Sequence, residues 1–349
     1  MEKFIGFQLK NLGDVLMTLP ALALLKTRRP GCQVTMVVRP LTAALLANHP
    51  LVDAVIPYQF QPRSLGLGES RRLVRALRQS GARVSFHFDG QRRGGLVALW
   101  AGLDSRAVGL GLLGVSGLKS PWLYNQKISL RSPGAPWESL ALSHQRLVAA
   151  VLGEATEPGL VAPGLNIPER ARAKARALLA QTPGAGPLIG LTLLGRQREK
   201  SWPLDFWAQV LQALAAQTKA RFYVTGEAGE GYLADQLAQL AGVPAQNFCG
   251  QTDLLEFVAL AAASDLFLTI DTGSAHLVAL TETPLITIFT ATNPAQWGAL
   301  SRRRTQICYN WALARFGLSS GPDYVGYPIV RPPVVIEAAL AFLAKGQVG

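Results

Sequence analysis

The sequence predicts an α/β protein with two Rossmann-like domains, each built on a parallel sheet with helices on its faces. Apolar segments rich in β-branched residues alternate with helical segments along the chain, and this alternation is typical of parallel sheets. A chain of 349 residues, 49% of them hydrophobic, is larger than one core usually supports. Gly and Pro residues between 153 and 164 mark a linker between halves of similar size. The carboxyl ends of two such sheets imply a cleft between the domains.

The first half alternates strands and helices from its first residues. Phe4-Ile5-Gly6-Phe7 is an apolar strand, and the turn around Gly13 leads into a helix. The predicted strands of this half are 3–9, 33–38, 53–57, 82–88 and 105–109. Its predicted helices are 14–28, 41–47, 69–80, 92–101 and about 137–152, with irregular loop over 110–135.

The second half repeats the alternation. Its predicted strands are 187–194, 221–225, 247–249, 266–271 and 284–289. Its predicted helices are 168–180, 204–217, 230–241, 253–263, 274–281 and about 334–345, with irregular structure over 290–330. We therefore expect domains over 1–160 and 161–349, with the last helix either in the second domain or packed back on the first.

Two junctions between a strand and a helix carry candidate chemistry. Residues 268–276 form an apolar strand that ends on Asp271 and continues, through small residues, into a helix. Such a junction directs free backbone N–H groups at one point and predicts a phosphate site, although every parallel α/β domain has several of them. At the second junction, Asp14 opens the helix after the first strand. It is either a carboxylate able to take a proton or a helix cap.

The positive charge is concentrated in one segment. Of the formal net charge of +12, residues 61–93 contribute +6, because eight arginines stand against Glu69 and Asp89. Arg71, Arg75 and Arg78 share one face of the predicted helix 69–80. This face is either a solvated surface or a site for an anionic partner. Nucleic acid is disfavoured because no nucleic-acid-binding module is present, which leaves a membrane surface or an anionic acceptor.

Several classes of protein are excluded or disfavoured. The first strand is not followed by Gly-x-Gly-x-x-Gly, and no Walker phosphate loop occurs, which disfavours nicotinamide dehydrogenases and P-loop ATPases. Three cysteines at unrelated spacings form neither a disulfide framework nor a metal cluster. The longest apolar run, 254–270, contains two acids and is no membrane span. Met1-Glu2-Lys3 leads directly into a strand, so we expect a cytoplasmic protein.

Three motifs together resemble a known family. Leu12-Gly-Asp-Val-Leu-Met-Thr-Leu-Pro20, Lys200-Ser-Trp-Pro203 and Asp271-Thr-Gly-Ser-Ala-His276 are similar to motifs of the ADP-heptose:lipopolysaccharide heptosyltransferases, in the same order. The resemblance implies the GT-B fold, with two facing Rossmann-like domains and an interdomain cleft. It also implies inverting transfer of heptose from ADP-heptose to the lipopolysaccharide inner core, at the cytoplasmic face of the inner membrane. The acceptor would bind the N-terminal domain and the donor the C-terminal one.

The resemblance also implies roles for individual residues. Asp14 is the expected general base, and Lys200 is expected to meet the diphosphate. Glu230 is expected to hold the ribose, with Glu227 as the fallback. The remaining nucleotide-sugar residues are Gly13, Thr192, Asp271, Thr272, Gly273 and His276, where the histidine has a plain helix residue as its alternative. The expected acceptor-binding residues are Lys10, Arg63, Arg92 and Arg93.

No cofactor is expected, and ADP-sugar acts as a co-substrate. The sequence contains no Asp-x-Asp for a divalent ion, and Lys200 with the N–H groups after Asp271 can stabilise the leaving diphosphate. Two positions depart from the family pattern, Gln8 in place of a basic residue and Thr290 in place of glycine. Three alternatives stay open: the same fold with another nucleotide sugar, a non-catalytic glycan- or nucleotide-binding protein, and a nucleic-acid-binding protein.

Overall fold

The chain forms two compact units, Met1–Asn166 and Ile167–Gly349. The computed structural model describes residues 1–59, 67–103, 123, 138–156, 164–195, 198–301, 303–309, 313, 315, 318 and 325–346. Both units are α/β with entirely parallel strand pairings among the described residues, so the predicted class is confirmed. The predicted strand 105–109, most of the predicted loop 110–135 and Arg63 lie outside the described residues.

The described part of the N-terminal unit contains a four-stranded sheet in the order β3-β2-β1-β4. Its strands are β1 Lys3–Gln8, β2 Gln33–Val38, β3 Ala54–Pro57 and β4 Val84–His87. Its helices are α1 Leu12–Leu16, α2 Leu19–Arg28, α3 Pro40–Ala47, α4 Leu67–Ser80, α5 Arg92–Ala101 and α6 Leu140–Leu152. After β1 the chain adds β2 and β3 on one side of β1, and β4 then pairs with the other side of β1. The point where strand order reverses therefore lies between β1 and β4, and such switch points bind ligands in open α/β sheets.

The single helix predicted over 14–28 is wrong, because the structure has two helices there. The first, α1, already begins at Leu12, and the second, α2, begins at Leu19 after a break at Met17 and Thr18. Pro20 occupies the second helical position of α2. In a continuous helix its ring would clash with the carbonyl group of residue 16 and remove a hydrogen bond, so the chain starts a new helix instead.

The C-terminal unit has a seven-stranded sheet in the order β11-β10-β9-β8-β5-β6-β7. Its strands are β5 Leu188–Thr192, β6 Arg221–Thr225, β7 Ala245–Asn247, β8 Leu266–Ile270, β9 Leu285–Phe289, β10 Arg304–Tyr309 and β11 Val325–Tyr327. Its helices are α7 Glu169–Leu179, α8 Leu204–Thr218, α9 Gly231–Ala241, α10 Leu254–Ala262, α11 Gly273–Val278, α12 Pro294–Trp297 and α13 Pro332–Gly346. Strand order reverses between the neighbours β5 and β8, which makes this a second switch point.

The prediction of irregular structure over 290–330 is wrong in part. This stretch contains α12, β10 and β11, and β10 pairs in parallel with β9. The sequence of β10, Arg-Thr-Gln-Ile-Cys-Tyr, is too polar at its start to stand out as a strand, and the pairing with β9 determines its structure.

The final helix and Trp202 both pack against the core of the C-terminal unit. Helix α13 packs against α8, β8 and β9. Trp202, which is 3% exposed, packs edge-on against Trp207 and donates a hydrogen bond from Nε1 to the carbonyl oxygen of Val330 at 3.0 Å. This contact anchors the loop that carries Lys200. No helix in the described part of the chain is long and apolar enough to cross a membrane.

Candidate functional site

An ion pair lies at the switch point of the C-terminal unit. Lys200 ends a short 3₁₀ turn after β5, and Asp271 is the first residue after β8. Lys200 Nζ lies 2.7 Å from Asp271 Oδ2, and the side chains of the lysine and the aspartate are 19% and 6% exposed. The structure thus brings together two residues that are 71 positions apart in the sequence. A mostly buried ion pair fixes both side chains, since breaking it would leave a charge without a partner.

The loop after β9 holds both members of this pair. Thr292 Oγ1 donates to Asp271 Oδ2 at 2.5 Å. Thr290 Oγ1 donates to the carbonyl oxygen of Glu199 at 2.8 Å, immediately before Lys200. Threonine in place of the family glycine therefore has a structural role at this position. Neither threonine was predicted to be a site residue, and the only signal in the sequence was that Thr290 departs from the family pattern.

The helix α11 begins directly behind Asp271. Thr272 is its N-cap, and Thr272 Oγ1 accepts a hydrogen bond from the backbone N–H of Ser274 at 3.2 Å. Gly273 is the first helical residue and brings no side chain beyond Cα to this end of the helix. The first N–H groups of a helix attract anions, and Lys200 adds a positive charge at the same place. The arrangement fits a phosphate group.

His276 lies one turn into α11 and is 7% exposed. Its pKa is lowered to about 4, chiefly by burial; the negative charge of Asp271 opposes this shift, and the positive charges of Lys200 and Arg304 contribute to it. The imidazole is therefore neutral at physiological pH. It can donate or accept a hydrogen bond beside the ion pair, but it does not contribute a positive charge.

Thr192 is the last residue of β5, and Glu230 lies in the turn that follows the neighbouring strand β6. Thr192 Oγ1 lies 3.1 Å from Thr225 Oγ1, which joins the ends of these two strands. Glu230 Oε2 accepts a hydrogen bond from the backbone N–H of Glu227 at 2.9 Å, and burial raises the pKa of Glu230. A Cβ at Gly226 would lie 2.2 Å from Glu230 Oε2, so glycine is required for this position of the carboxylate. Glu227, the fallback, is exposed.

At the switch point of the N-terminal unit, Asp14 is the third residue of α1 and is 9% exposed. Its Oδ2 accepts a hydrogen bond from the backbone N–H of Asn11 at 3.3 Å, so the carboxylate does serve the start of the helix. Gln8 is buried in the same turn, where its amide contacts the backbone N–H of Lys10 and the carbonyl oxygen of Asp14, each at 3.4 Å. Gln8 thus shapes the turn that holds Gly13 and Asp14.

Asp89 connects the candidate acceptor residues, a role that the sequence did not predict. Its carboxylate accepts hydrogen bonds from the backbone N–H of Leu9 at 2.6 Å and of Gln91 at 2.9 Å. Burial raises its pKa, and the two backbone hydrogen bonds and the positive charge of Lys10 counteract that shift. Asp89 therefore joins the turn that carries Lys10 to the start of α5, whose first two residues are Arg92 and Arg93.

His144 contacts the backbone next to these turns, between α1 and α2 and directly before Asp89. The sequence did not predict this role either. Its Nδ1 lies 3.0 Å from the carbonyl oxygen of Met17, and its Nε2 lies 3.2 Å from that of Phe88. Burial lowers the pKa of His144 to about 4, so the ring is neutral and carries one N–H at physiological pH. Neither the spacing nor the neighbours of this residue in the sequence indicate the contact, which depends on α6 packing against α2.

Among the described residues, no group of three or more His, Cys, Asp or Glu side chains is arranged to hold a metal ion. The polar groups at the C-terminal switch point are one lysine, one aspartate, hydroxyl groups and helix N–H groups. Apart from the aspartate, which accepts hydrogen bonds from Lys200 and Thr292, these groups can donate hydrogen bonds and are suited to an anionic group such as a diphosphate.

The chain is similar to known glycosyltransferases over most of its length. The family described as glycosyltransferase family 9 (heptosyltransferase) matches residues 113–319. Lipopolysaccharide heptosyltransferase 1 of Pseudomonas aeruginosa is 27% identical over 321 residues, which cover 85% of this chain and 81% of the relative. The structure of the Escherichia coli ADP-heptose lipopolysaccharide heptosyltransferase II superposes with a TM-score of 0.76 at 19% identity and covers 99% of this chain and 100% of its own.

A second E. coli structure, heptosyltransferase WaaC with ADP, has a TM-score of 0.69 at 20% identity and covers 88% of this chain and 93% of its own. At these identities the structural similarities establish the fold. The GT-B fold predicted from the sequence is therefore confirmed.

Proposed function

The chain belongs to glycosyltransferase family 9, the heptosyltransferases, and on this premise we propose that it transfers heptose from ADP-heptose to the inner core of lipopolysaccharide, with inversion and without a metal ion. The observation that carries the proposal is the Lys200–Asp271 pair at the start of α11. It puts a cation beside the N-terminus of a helix where strand order reverses in the C-terminal sheet, the position at which nucleotides bind in such folds.

The donor diphosphate would bind between Lys200 and the first turn of α11. An ammonium group has three N–H donors, so Lys200 can keep Asp271 as a partner while it donates to a phosphate oxygen. Thr292 remains bonded to Asp271 in either case. Glu230, next to β6, would accept hydrogen bonds from the ribose hydroxyl groups, and Thr192 and neutral His276 would complete the pocket.

The reaction needs a base, because a neutral sugar hydroxyl is a poor nucleophile. Asp14 would take the proton of the acceptor hydroxyl while that oxygen attacks the anomeric carbon from the face opposite the diphosphate. The bond from the anomeric carbon to the diphosphate oxygen breaks, and ADP leaves with the electron pair. Lys200 and the helix N–H groups stabilise the charge that develops on ADP. One displacement of this kind inverts the anomeric configuration.

The acceptor would be held by the positive charges at the N-terminal switch point. Lys10, Arg92 and Arg93 follow the adjacent strands β1 and β4, and Asp89 joins the two turns that carry them. Arg63 belongs to the same proposal from its place in the sequence. These charges suit the anionic inner core, and the proposal includes a cytoplasmic location with contact to the inner membrane.

The test is transfer from purified ADP-heptose to truncated core lipopolysaccharide, with and without EDTA. We expect turnover that survives chelation, and a strict need for Mg²⁺ or Mn²⁺ would contradict metal independence. Lys200→Ala should weaken donor binding and slow transfer together, whereas Lys174→Ala, which removes an exposed lysine of α7, should do neither. A preference for another nucleotide sugar, or tight binding without turnover, would replace the proposal with one of its alternatives.

A further inference from the structure

A basic groove lies on the N-terminal unit, between α4 and α5 and apart from the residues assigned to the reaction. It has a volume of about 650 Å³ and is lined by Arg71, Val74, Arg75, Arg78, Gln79 and Trp100. This surface and the neighbouring Leu99 form what we call the α4–α5 face. We propose that the α4–α5 face docks the protein on an anionic lipid bilayer.

Charge is the first argument for the α4–α5 face. Residues 67–103 include seven arginines and no lysine, against Glu69 and Asp89, and Asp89 is buried and bonded to backbone N–H groups. Within the part of the chain that the structure describes, no carboxylate forms an ion pair with Arg71, Arg75 or Arg78. Their positive charge is therefore not offset by a bound carboxylate and attracts an anionic surface.

The amphipathic form of α4 keeps these arginines in place. Leu73 and Leu77 are buried on the inner side of the helix, while Arg71, Arg75 and Arg78 are exposed on the outer side. The buried leucines anchor the helix in the core, so the three arginines extend from the same outer side of a fixed helix.

Exposed apolar side chains at the edge of the groove are the second argument. Leu99 and Trp100, in the last turn of α5, are each 50% exposed. Arg78 donates a hydrogen bond to the carbonyl oxygen of Trp100 at 2.5 Å, so the three arginines and the apolar pair form one continuous surface. An indole ring favours the boundary between lipid headgroups and acyl chains, where arginine reaches lipid phosphate groups.

This combination favours a bilayer over the other anionic partners. A sugar acceptor would be recognised by many hydrogen bonds to its hydroxyl groups, and of the half-exposed pair Leu99 offers none and Trp100 only its single indole N–H. A lipid surface uses both components at once, because its phosphates meet the arginines and its acyl chains take up the apolar pair. The docked face would keep the enzyme beside a membrane-anchored acceptor, and this consequence rests on the proposed function.

Vesicle binding by the full-length protein tests the proposal without the transferase reaction. We expect co-sedimentation with phosphatidylglycerol–phosphatidylcholine vesicles, little with pure phosphatidylcholine, and a loss of binding as NaCl increases. Because each arginine near an anionic membrane contributes about fivefold, the variant Arg71→Gln/Arg75→Gln/Arg78→Gln should bind on the order of 100-fold more weakly. Trp100→Ala should reduce the fraction that stays bound at high salt.

The matched control removes the same charge from another exposed helix. Arg170→Gln/Arg172→Gln/Arg176→Gln in α7 should bind vesicles almost as the unmodified protein does. Equal losses in the two triple variants, equal binding to neutral vesicles, or displacement by a soluble core oligosaccharide would overturn the proposal. Circular dichroism confirms that each variant is folded. Transfer to a lipid-free acceptor is measured separately, so failure of docking and failure of the proposed function give different results.

Discussion

Asp14 serves the start of α1 and is also the proposed general base, and a single substitution separates these two roles. Its carboxylate accepts a hydrogen bond at the start of α1, and asparagine keeps an oxygen for that contact. Asp14→Asn should therefore fold normally, yet lose about 10²-fold or more in transfer rate, because an amide is not a base. Donor binding should stay the same. Initial rates and ADP affinity, measured on the same preparation, give the answer.

The control for Asp14 is Asp253→Asn at the start of α10. Asp253 accepts a hydrogen bond from the backbone N–H of Glu256 at 2.8 Å and caps a helix that is not part of the site. Its variant should keep full activity. If Asp14→Asn retained more than about a third of the wild-type rate, Asp14 would be a cap and not the base.

Thr290 donates a hydrogen bond to the carbonyl group of Glu199, next to Lys200, and Thr290→Val replaces the hydroxyl group with a methyl group of similar size. The lost hydrogen bond should lower the free energy of unfolding by about 1 kcal/mol. If the same bond holds the Lys200 turn, ADP affinity should fall by about fivefold as well. Isothermal titration calorimetry with ADP measures this change in affinity.

Thr283→Val is the matched control for Thr290→Val. Thr283 Oγ1 donates to the carbonyl oxygen of Ala261 at 2.7 Å, and the residue is 4% exposed. Both variants should lose similar stability, but only Thr290→Val should weaken ADP binding. Equal ADP affinities in the two variants would leave Thr290 with no part in positioning Lys200.

At the scale of the elements, candidate site groups occupy the turns that follow neighbouring strands. Those after β9, β8, β5 and β6 carry Thr292, Asp271, Lys200 and Glu230. The turn after β6 is the easiest to test, because the Glu230 carboxylate occupies the space that a side chain at residue 226 would need. Gly226→Ala should displace Glu230 and weaken ADP binding roughly tenfold through lost ribose hydrogen bonds.

Gly229→Ala, in the same turn, has no atom within 4 Å of its new Cβ and controls for the loss of glycine flexibility. Combining Gly226→Ala with Glu230→Ala should cost no more ADP affinity than Glu230→Ala alone, because both remove the same contact. If the losses of ADP affinity in the two single variants added in full in the double variant, Gly226 would affect ADP binding by a route other than Glu230.

The sequence predicted these turns better than it predicted their contacts. Strand ends and small residues are local signals, so Asp271 and Lys200 were assigned from motifs and the strand β8 was located within one residue. The hydroxyl groups of Thr290 and Thr292 acquire their roles only when β9 lies beside β8. The same applies to Asp89, whose partner Leu9 is 80 positions away. Strand order depends on the packing of the whole domain, so these residues could not be found from local pattern.

For the whole molecule, acid stability should depend on buried neutral histidines. Burial lowers the pKa of His87 to about 3 and those of His144 and His276 to about 4, from an ordinary value of 6.5. As pH falls below 6.5, the unfolded chain binds protons that the folded protein does not. The free energy of unfolding should therefore be constant near pH 7 and fall as pH drops from 6.5 toward 4. The raised pKa values of Asp89 and Glu230 act in the opposite direction.

His144→Gln isolates one of these contributions. Glutamine stays neutral at every pH and can still donate an N–H to one of the two carbonyl groups that His144 contacts. Its free energy of unfolding, from urea titrations between pH 7 and pH 4.5, should fall less steeply by up to about 1.4 kcal/mol per pH unit. The protein already carries a formal charge of +12, so charge repulsion also grows in acid, but equally in both proteins. Parallel curves for wild type and variant would show that His144 is not excluded from protonation in the folded state.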